Sequence, residues 1–391
     1  MENLTGIIIL AVFLLLWCLD MLRNHRYIII QKMVEADTGK DTDCISLPTM
    51  SIIVPTYEQC NALRQNLPPL LEQEYPQDFE VIVVDMNSTD ETRMYLESLE
   101  GRYPHLHVTQ MPDTARSVSP IRLALTLGIR AASGEWVVLT QANCHPASEQ
   151  WLMRLGKTCT EKKEFQIVMG YTRFIKGQGW NGLRCRFFRL WQQMLHLPFA
   201  IRHSAYRNEG TNLCYRRSYF LTHRGFAEHS NLLLGATDIM VNHHSTRLNT
   251  TVCLHQDAQM LQECPPYSKW WRQERLFFME TRHHFSHWVL YRLKYASHIL
   301  LTEIFTLSAI VVIATESLLF HNYIMTAVAA LLWIIHAVCR SIWFNRSARA
   351  LGERPIQYAL PLLLHLVPWW DTIAWFRWLF TKKKMFQKKY I

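Results

Sequence analysis

Polar side chains follow three apolar runs in the first 145 residues, and their types are suited to ligand binding. The segments Thr56–Glu58, Asp85–Asp90 and Gln141–His145 each come directly after a run rich in β-branched residues. A carboxylate in such a place, above all Asp85, can accept hydrogen bonds from a base N–H or a sugar hydroxyl. Ligands of parallel α/β sheets bind beyond the carboxyl ends of the strands. We therefore expect the three segments to meet at one binding site.

The elements that position these residues alternate between strand and helix. The patterns predict strands at 50–57, 79–86, 106–110 and 135–141, with helices at 59–74, 88–103 and 120–134. Buried strands separated by helices are typical of an α/β fold with a mostly parallel, doubly wound sheet.

Apolar runs gather at the two ends of the 391-residue chain, outside a domain predicted at residues 45–290. The first run predicts a transmembrane anchor at 1–24, because no basic segment precedes it as in a cleaved signal peptide. A second apolar region predicts a transmembrane hairpin at 297–344. Basic residues beside these runs, including the tail 382–391, explain the formal charge of +9 and predict a cytoplasmic domain. No basic block interleaved with aromatics indicates nucleic-acid binding.

Two further segments each have two interpretations. Residues 355–381 are rich in tryptophan and interrupted by prolines, with basic flanks on both sides. An interfacial or re-entrant helix is favoured over a fourth crossing of the membrane. Residues 178–205 are apolar, aromatic and basic together. They predict a segment on the membrane surface, slightly favoured, or an ordinary helix that packs on the sheet.

The chain resembles a known family in several segments that follow one another in the family's order. These segments are SIIVPTYE, VIVVDMNSTDET, IRLALTLGIRAASGEWVVLTQANCHP, NEGTNLCYRRSYF, GATDIMVN and WWRQERLFF. Together they resemble the family 2 inverting glycosyltransferases of GT-A fold over roughly residues 49–285, most of all membrane-associated bacterial members. The resemblance implies hexosyl transfer from a UDP- or GDP-sugar to a lipid-linked or polysaccharide acceptor. It also implies a multi-pass protein of the bacterial inner membrane.

The resemblance assigns a donor site to residues at the strand ends. It implies that Asp85 contacts the base or ribose, that Pro55 and Tyr57 form a wall beside the base, and that Glu58 lies next to them. Arg122 would hold the pyrophosphate, since a guanidinium can bind phosphate oxygens in bidentate fashion. Helix capping by Asp85, turn chemistry for Pro55 and Tyr57, and an exposed helix arginine are the alternatives.

Gln141 and Asn143 stand where the family carries an Asp-x-Asp signature that binds Mn²⁺ or Mg²⁺. Hard cations favour charged oxygen ligands, and this chain offers two neutral amides. Three explanations are open. Asn143 ligates a metal with help from His145 or a distant acid, basic residues replace the metal, or the donor site has degenerated.

The resemblance places the acceptor side of the site later in the chain. Asp238 is the acid in the segment GATD, so it is the predicted general base, although one register puts Ala236 in that position. Its alternative role is an N-cap. The following motif resembles Gln-x-x-Arg-Trp imperfectly, and it implies acceptor or diphosphate contacts from the residues Trp271, Arg272, Gln273 and Arg275. Trp270 and Phe277 are further aromatic candidates, and an interfacial belt is the other interpretation of the tryptophans.

Two functions follow from these patterns. The first is an inverting glycosyltransferase with a membrane-presented acceptor. The second is a catalytically inactive membrane scaffold or sugar-binding subunit that keeps the fold without metal or base.

Overall fold

The computed structural model describes residues 2–38, 46–112, 119–175, 177, 179–226, 232–265, 268–286, 288–319 and 321–386. The chain divides into two compact units. We call Met1–Glu35 with Val289–Thr372 the helical unit, and Ala36–Trp288 with Ile373–Ile391 the sheet unit.

The strands are β1 (Met50–Thr56), β2 (Phe79–Asp85), β3 (Leu106–Gln110), β4 (Trp136–Leu139), β5 (Cys144–Pro146), β6 (Ile167–Gly170), β7 (Thr172–Phe174), β8 (Leu213–Arg216), β9 (Thr250–Cys253) and β10 (Met260–Gln262). The helices are α1 (Glu2–Arg23), α2 (His25–Thr38), α3 (Cys60–Asn66), α4 (Pro68–Leu71), α5 (Thr92–Glu100), α6 (Pro120–Ala131), α7 (Trp151–Thr160), α8 (Gly179–Arg202), α9 (Arg217–Thr222), α10 (Ala236–His244), α11 (Ser268–Thr281), α12 (Val289–Leu318), α13 (Tyr323–Ala350) and α14 (Leu360–Phe380).

A seven-stranded sheet in the order β3-β2-β1-β4-β8-β6-β9 forms the core of the sheet unit. The first four strands of this order run parallel, and β8 is antiparallel to both of its neighbours. Every residue of β1 and β4 is buried, because both faces of these strands are covered. The four predicted strands and the mostly parallel sheet are therefore confirmed.

Short local signals explain where the covering helices begin. Pro120 is the first residue of α6, a position where a helix needs no backbone N–H donor. The carboxylate of Asp90 accepts hydrogen bonds from the backbone N–H groups of Thr92, at 3.0 Å, and Cys60, at 3.2 Å. One acid therefore satisfies the first N–H of α5 and that of α3.

A small sheet in the order β5-β10-β7 brings distant parts of the chain together. β10 pairs antiparallel with β5 and parallel with β7. This pairing places residues 260–263 beside residues 143–146, which follow β4 in the sequence.

The helix α8 packs inside the sheet unit, and this corrects the favoured interpretation of residues 178–205. It contacts β7 and β9, and more than half of its residues are buried. Phe187, Phe188, Trp191 and Arg189 are among these buried residues, so the alternative of an ordinary helix on the sheet describes the segment.

In the helical unit, α1 packs on the hairpin of α12 and α13. The ring of Phe13 stacks on Phe305 at 5.2 Å. The buried carboxylate of Asp20 accepts a hydrogen bond from the Thr302 hydroxyl at 3.1 Å and contacts Nε2 of His336 at 2.6 Å. In the described part of the chain, α12 and α13 are the helices long and apolar enough to cross a bilayer. A membrane-spanning role for the region 1–24 stays a prediction.

The segment predicted at 355–381 contains the helix α14, which pairs with α12. Nδ1 of His365 lies 3.0 Å from a carboxylate oxygen of Glu303, and the Tyr295 hydroxyl bonds to Asp371. The residue numbers rise along α14 as they fall along α12, so the two helices are antiparallel. Both contacts fall in the first half of α12.

Candidate active site

A cleft of about 630 Å³ opens at the carboxyl ends of the central strands of the sheet unit. Pro55, near the end of β1, and Gln141, two residues after β4, line it, and Ile121 and Leu125 of α6 add an apolar wall. β1 and β4 are parallel neighbours, so their carboxyl ends meet at this edge. The cleft lies where the sequence predicted a ligand site.

Tyr57, Glu58 and Asp85 lie at the same sheet edge, outside the lining of the cleft. Asp85 is the register partner of Thr56, and its buried carboxylate accepts hydrogen bonds from the N–H of Ser88, at 3.2 Å, and from its hydroxyl, at 2.5 Å. The N–H of Glu58 donates to the same hydroxyl at 2.9 Å, and the φ of 50° at Glu58 is uncommon for a residue other than glycine. Asp85 therefore orders both strand-end loops, while the Tyr57 side chain is exposed.

The place of the Asp-x-Asp signature lies in the cleft, because both Gln141 and Asn143 line it. Directly after β10 stands Glu263, which lines the cleft beside them. The N–H of Glu263 donates to the carbonyl of Asn143 at 3.1 Å, and its carboxylate accepts a hydrogen bond from Asn66 at 3.3 Å. Nδ1 of His145 lies 2.7 Å from Oδ1 of the same Asn66. The pairing of β10 with β5 thus brings a distant carboxylate to the neutral signature.

These residues fit a divalent cation that shares its coordination with a phosphate group. Mg²⁺ and Mn²⁺ accept oxygen ligands, and Mg²⁺ is commonly held by one or two carboxylates together with substrate phosphates. Glu263 offers a carboxylate and Asn143 an amide oxygen. Within the described residues, no group of three or more His, Cys, Asp and Glu side chains is placed to hold an ion by itself. The arrangement corresponds to the explanation in which a distant acid assists Asn143.

Two arginines and three carboxylates form a chain of ion pairs along the cleft. Arg189 of α8 lies 2.6 Å from Glu209 and 3.9 Å from Glu274 of α11. Arg207 lies 3.3 Å from Glu209, and its Nε lies 3.2 Å from Oδ1 of Asp238. Both arginines and Asp238 are buried. Four parts of the fold are therefore joined around Asp238, including the loop between α8 and β8.

Asp238 lies in the first turn of α10, with Gly235 at the N-cap, so it does not cap this helix. Gly235 has a φ of 86°, and a Cβ there would lie 2.3 Å from the side chain of Thr281. Burial raises the pKa of Asp238 to about 6; Arg207 opposes this rise and Glu209 adds to it. A carboxylate with a pKa close to neutral pH is suited to accepting a proton in a reaction.

One face of α11 lines the cleft. Trp270, Gln273 and Phe277 follow the spacing of a helix face, and all three line the cleft. Trp270 is 67% exposed, so its ring is available at the mouth. The structure therefore places Gln273 in the cleft, along with the further aromatic candidates Trp270 and Phe277.

The remaining predicted residues of this motif, Trp271, Arg272 and Arg275, do not line the cleft, and their acceptor or diphosphate roles stay predictions. Trp271 and Arg275 are on the buried face of α11, where the Arg275 guanidinium lies 4.1 Å from the ring centroid of Phe188. Arg272 is exposed, and its Nε donates to the carbonyl of Ser268 at 3.3 Å. The motif register predicted these residues, but the direction of each side chain from the helix decides which of them reach the cleft.

Arg122 also differs from its expected place. It is buried in α6, and its Nη1 donates to the carbonyl of Phe226 at 2.8 Å. Burial lowers the pKa of Arg122 to about 10. Ile121 and Leu125 line the cleft from the same helix, whereas Arg122 is buried and does not line it, so its pyrophosphate role stays a prediction.

The strands and helices that surround the cleft belong largely to a segment that is similar to a known family. Residues 51–223 match the family model described as glycosyl transferase family 2. The match covers less than half of the chain, and it makes this part similar to the family 2 glycosyltransferases. The GT-A fold that the sequence implied is confirmed with it.

Many solved structures and a curated protein are similar to the chain, among them the following two. The glycosyltransferase AglE of Haloferax volcanii is 29% identical over 135 residues, which are 34% of this chain and 42% of that protein. The alignment therefore spans less than half the length of this relative. The mannosyltransferase PcManGT from Pyrobaculum calidifontis, solved in complex with GDP-Man and Mn²⁺, has a TM-score of 0.54 and 18% identity. That alignment covers 93% of this chain and 99% of PcManGT, and it shows a shared fold.

Several residues that line the cleft were not predicted from the sequence. Arg207 and Glu209 flank Asn208, and Glu209 belongs to the segment NEGTNLCYRRSYF that carries part of the family resemblance. Arg189 lies among the many basic residues of α8, so no local signal separates it from its neighbours. Glu263 has no signal near it in sequence, because only the pairing of β10 with β5 brings it to Asn143.

Proposed function

We propose that the protein transfers a sugar from a nucleotide-sugar donor to an acceptor hydroxyl, with inversion at the anomeric carbon. The observation that carries this proposal is the buried carboxylate of Asp238, which has a raised pKa and lines the same cleft as Asn143. The match to family 2 supports a glycosyltransferase, and a relative of the same fold is solved with GDP-Man.

The charge of the cleft supports a role for a divalent cation in donor binding. Among the described residues that line it, the side chains of arginine, lysine, aspartate and glutamate are two arginines and four carboxylates: Arg189, Arg207, Glu209, Asp238, Glu263 and Glu274. With all of them ionised the lining is negative, and the diphosphate of a UDP- or GDP-sugar is negative as well. Opposite charge is needed to hold them together. Asn143 and Glu263 would hold Mn²⁺ or Mg²⁺, which when bound neutralises charge on the leaving diphosphate.

The proposed reaction is a single displacement in which Asp238 is the general base. A carboxylate oxygen of Asp238 takes the proton of the acceptor hydroxyl. The hydroxyl oxygen forms a bond to the anomeric carbon as the bond from that carbon to the donor phosphate oxygen breaks. The electron pair of the broken bond leaves with the nucleoside diphosphate. Because the attack comes from the face opposite the leaving group, the configuration is inverted.

The acceptor would approach along α11. The exposed ring of Trp270 at the mouth of the cleft offers a flat apolar surface for the C–H face of a sugar, and Gln273 offers hydrogen bonds beside it. A lipid-linked glycan or a growing polysaccharide presents such a sugar.

A membrane-presented acceptor is supported by the helical unit. α12 and α13 have the length and composition of membrane spans, and exposed leucine and isoleucine side chains cover them. Basic residues follow α13 in the segment 346–354, which supports a cytoplasmic location for that end, as in a bacterial inner-membrane protein.

The geometry of α14 supports the re-entrant or interfacial alternative over a fourth crossing. Its contacts with α12 lie between residues 295 and 303, in the half of α12 nearer its basic start. From the level of residues 295–303, α14 extends along only part of the apolar length of α12. Trp369 is 66% exposed and Trp375 is 41% exposed on it, as expected for rings at headgroup level.

The test is nucleoside diphosphate release by the purified full-length protein in lipid nanodiscs. GDP-mannose and a panel of other GDP- and UDP-sugars are offered with and without MnCl₂. We expect turnover of at least one donor, dependence on the cation, and loss of turnover in Asp238→Asn.

The inactive-scaffold alternative has one observation in its favour, the neutral amides of Gln141 and Asn143. It predicts that no donor is turned over, whether or not calorimetry detects binding. Failure of every donor to be turned over, with and without cation, would therefore reject the proposed transferase.

A further inference from the structure

The ion pairs around Asp238 assign a task to an arginine outside the predicted site. Arg207 is buried, and its guanidinium lies between two carboxylates, 3.2 Å from Asp238 and 3.3 Å from Glu209. Its carbon Cζ also lies 4.1 Å from the ring centroid of Phe278, a cation–π contact. These contacts with Asp238, Glu209 and Phe278 come from three parts of the fold, and together they hold the Arg207 side chain in one orientation.

The backbone around Arg207 holds this position as well. Gly210 has a φ of 70°, and a Cβ there would lie 2.7 Å from the side chain of Thr237, next to Asp238. The N–H of Gly210 donates to Oδ1 of Asn208 at 2.8 Å. The loop that carries Arg207 is therefore packed tightly against the first turn of α10.

We propose that Arg207 is the positioning residue for the general base: it fixes the orientation of the Asp238 carboxylate toward the cleft and keeps that carboxylate ionised. The inference rests on the proposed function, because it concerns the base of that reaction. Glu209 has a matching task. It shares Arg207 with Asp238 and anchors the pair to Arg189 at 2.6 Å.

The charges around Asp238 predict that the variants Arg207→Gln and Glu209→Gln shift the pKa of Asp238 in opposite directions. Arg207 and Glu209 face it from the loop, Glu274 from α11, and the phenol of Tyr215 from β8. Arg207 is the cation of this set, so its removal makes ionisation of Asp238 harder. Removal of the Glu209 charge makes ionisation easier, since a like charge is lost.

The experiment measures the pH dependence of kcat for nucleoside diphosphate release, with whichever donor the wild type turns over, from pH 5 to 9. Arg207→Gln should lower kcat and move the acidic limb of the profile to higher pH by about one unit or more. Arg207→Lys keeps the charge without the planar guanidinium, so its limb should stay close to that of the wild type with a reduced plateau. Glu209→Gln should move the limb to lower pH.

Arg216→Gln is the matched control. Arg216 pairs with Glu135 at 3.4 Å outside the lining of the cleft, so its loss should leave the limb in place. Thermal unfolding of each variant checks that it is folded. If Arg207→Gln does not fold, the acidic limbs of Glu209→Gln and Arg207→Lys still test the positioning role of Arg207.

Two results overturn the positioning role. One is a uniform loss of kcat at every pH in Arg207→Gln with an unmoved limb, which a merely structural residue would give. The other is a limb in Glu209→Gln that stays in place or moves upward. A wild type that releases no diphosphate from any donor would instead reject the proposed transferase, and the positioning role with it.

Discussion

Asp238→Asn should abolish most activity while it stabilises the protein near neutral pH. The amide cannot take the proton of the acceptor hydroxyl, and loss of a general base lowers the rate by about 10²- to 10⁴-fold. Most replacements of a buried charged residue destabilise a protein. Asp238→Asn should instead stabilise the protein, because the buried surroundings of this carboxylate disfavour its charge.

The magnitude follows from the pKa of Asp238. Burial, together with Glu209 and against Arg207, raises this pKa from its ordinary value of 3.8 to about 6. With a shift of that size, ionisation of Asp238 lowers the free energy of unfolding by about 3 kcal/mol at pH 8, where the carboxylate is ionised in both folded and unfolded protein. Since the folded-state pKa is the higher one, the stabilising contribution is complete below about pH 4 and is lost as the pH rises through about 6. Asparagine is neutral at every pH, so Asp238→Asn should remove this cost. We expect the free energy of unfolding at pH 8 to rise by about 1–3 kcal/mol, because the different hydrogen bonding of the amide offsets part of the gain.

The assay compares melting temperatures of wild type and variant at pH 5 and pH 8, beside the rate of diphosphate release. The gain in melting temperature should be a few degrees at pH 8 and clearly smaller at pH 5, because wild-type Asp238 is then mostly protonated. Glu97→Gln, an exposed acid that pairs with Arg93 outside the lining of the cleft, is the control and should alter neither the rate nor this difference. A variant that melts lower than the wild type at pH 8, or equally at both pH values, would refute the account of Asp238.

Three further predictions concern the same cleft. The rate of diphosphate release should fall as the pH drops below about 6, as Asp238 is protonated, and a pH profile without a limb near that value would contradict a base role. Glu263→Gln should weaken Mn²⁺ binding in the presence of GDP by about 10- to 100-fold, measured by electron paramagnetic resonance of the free ion; unchanged affinity would remove Glu263 from the cation site. Gly210→Ala should cost about 1–3 kcal/mol, because its φ is 70° and the new Cβ would meet Thr237 at 2.7 Å. Gly101→Ala, with no atom within 4 Å, is its control, and equal melting temperatures in the two variants would disprove the strain.

The sequence predicted the central parallel sheet because the signals for it are local. The apolar runs of β1, β2 and β4 are buried on both faces, which a short run of β-branched residues already indicates. The strand-end location of the cleft follows from that topology. The family resemblance predicted roles for the segment of Asn143 and for Asp238 from motifs a few residues long, and both residues line the cleft.

Only the tertiary structure decided which side chains meet in the cleft. Helical geometry turned Trp270 and Gln273 toward the cleft and Trp271 toward the core, although all three belong to one motif. Glu263 reaches Asn143 through the pairing of strands more than a hundred residues apart. Such contacts depend on the direction of each side chain and on long-range pairing. A one-dimensional pattern specifies periodicity and local turns, but it does not fix the distances between elements that are remote in the chain.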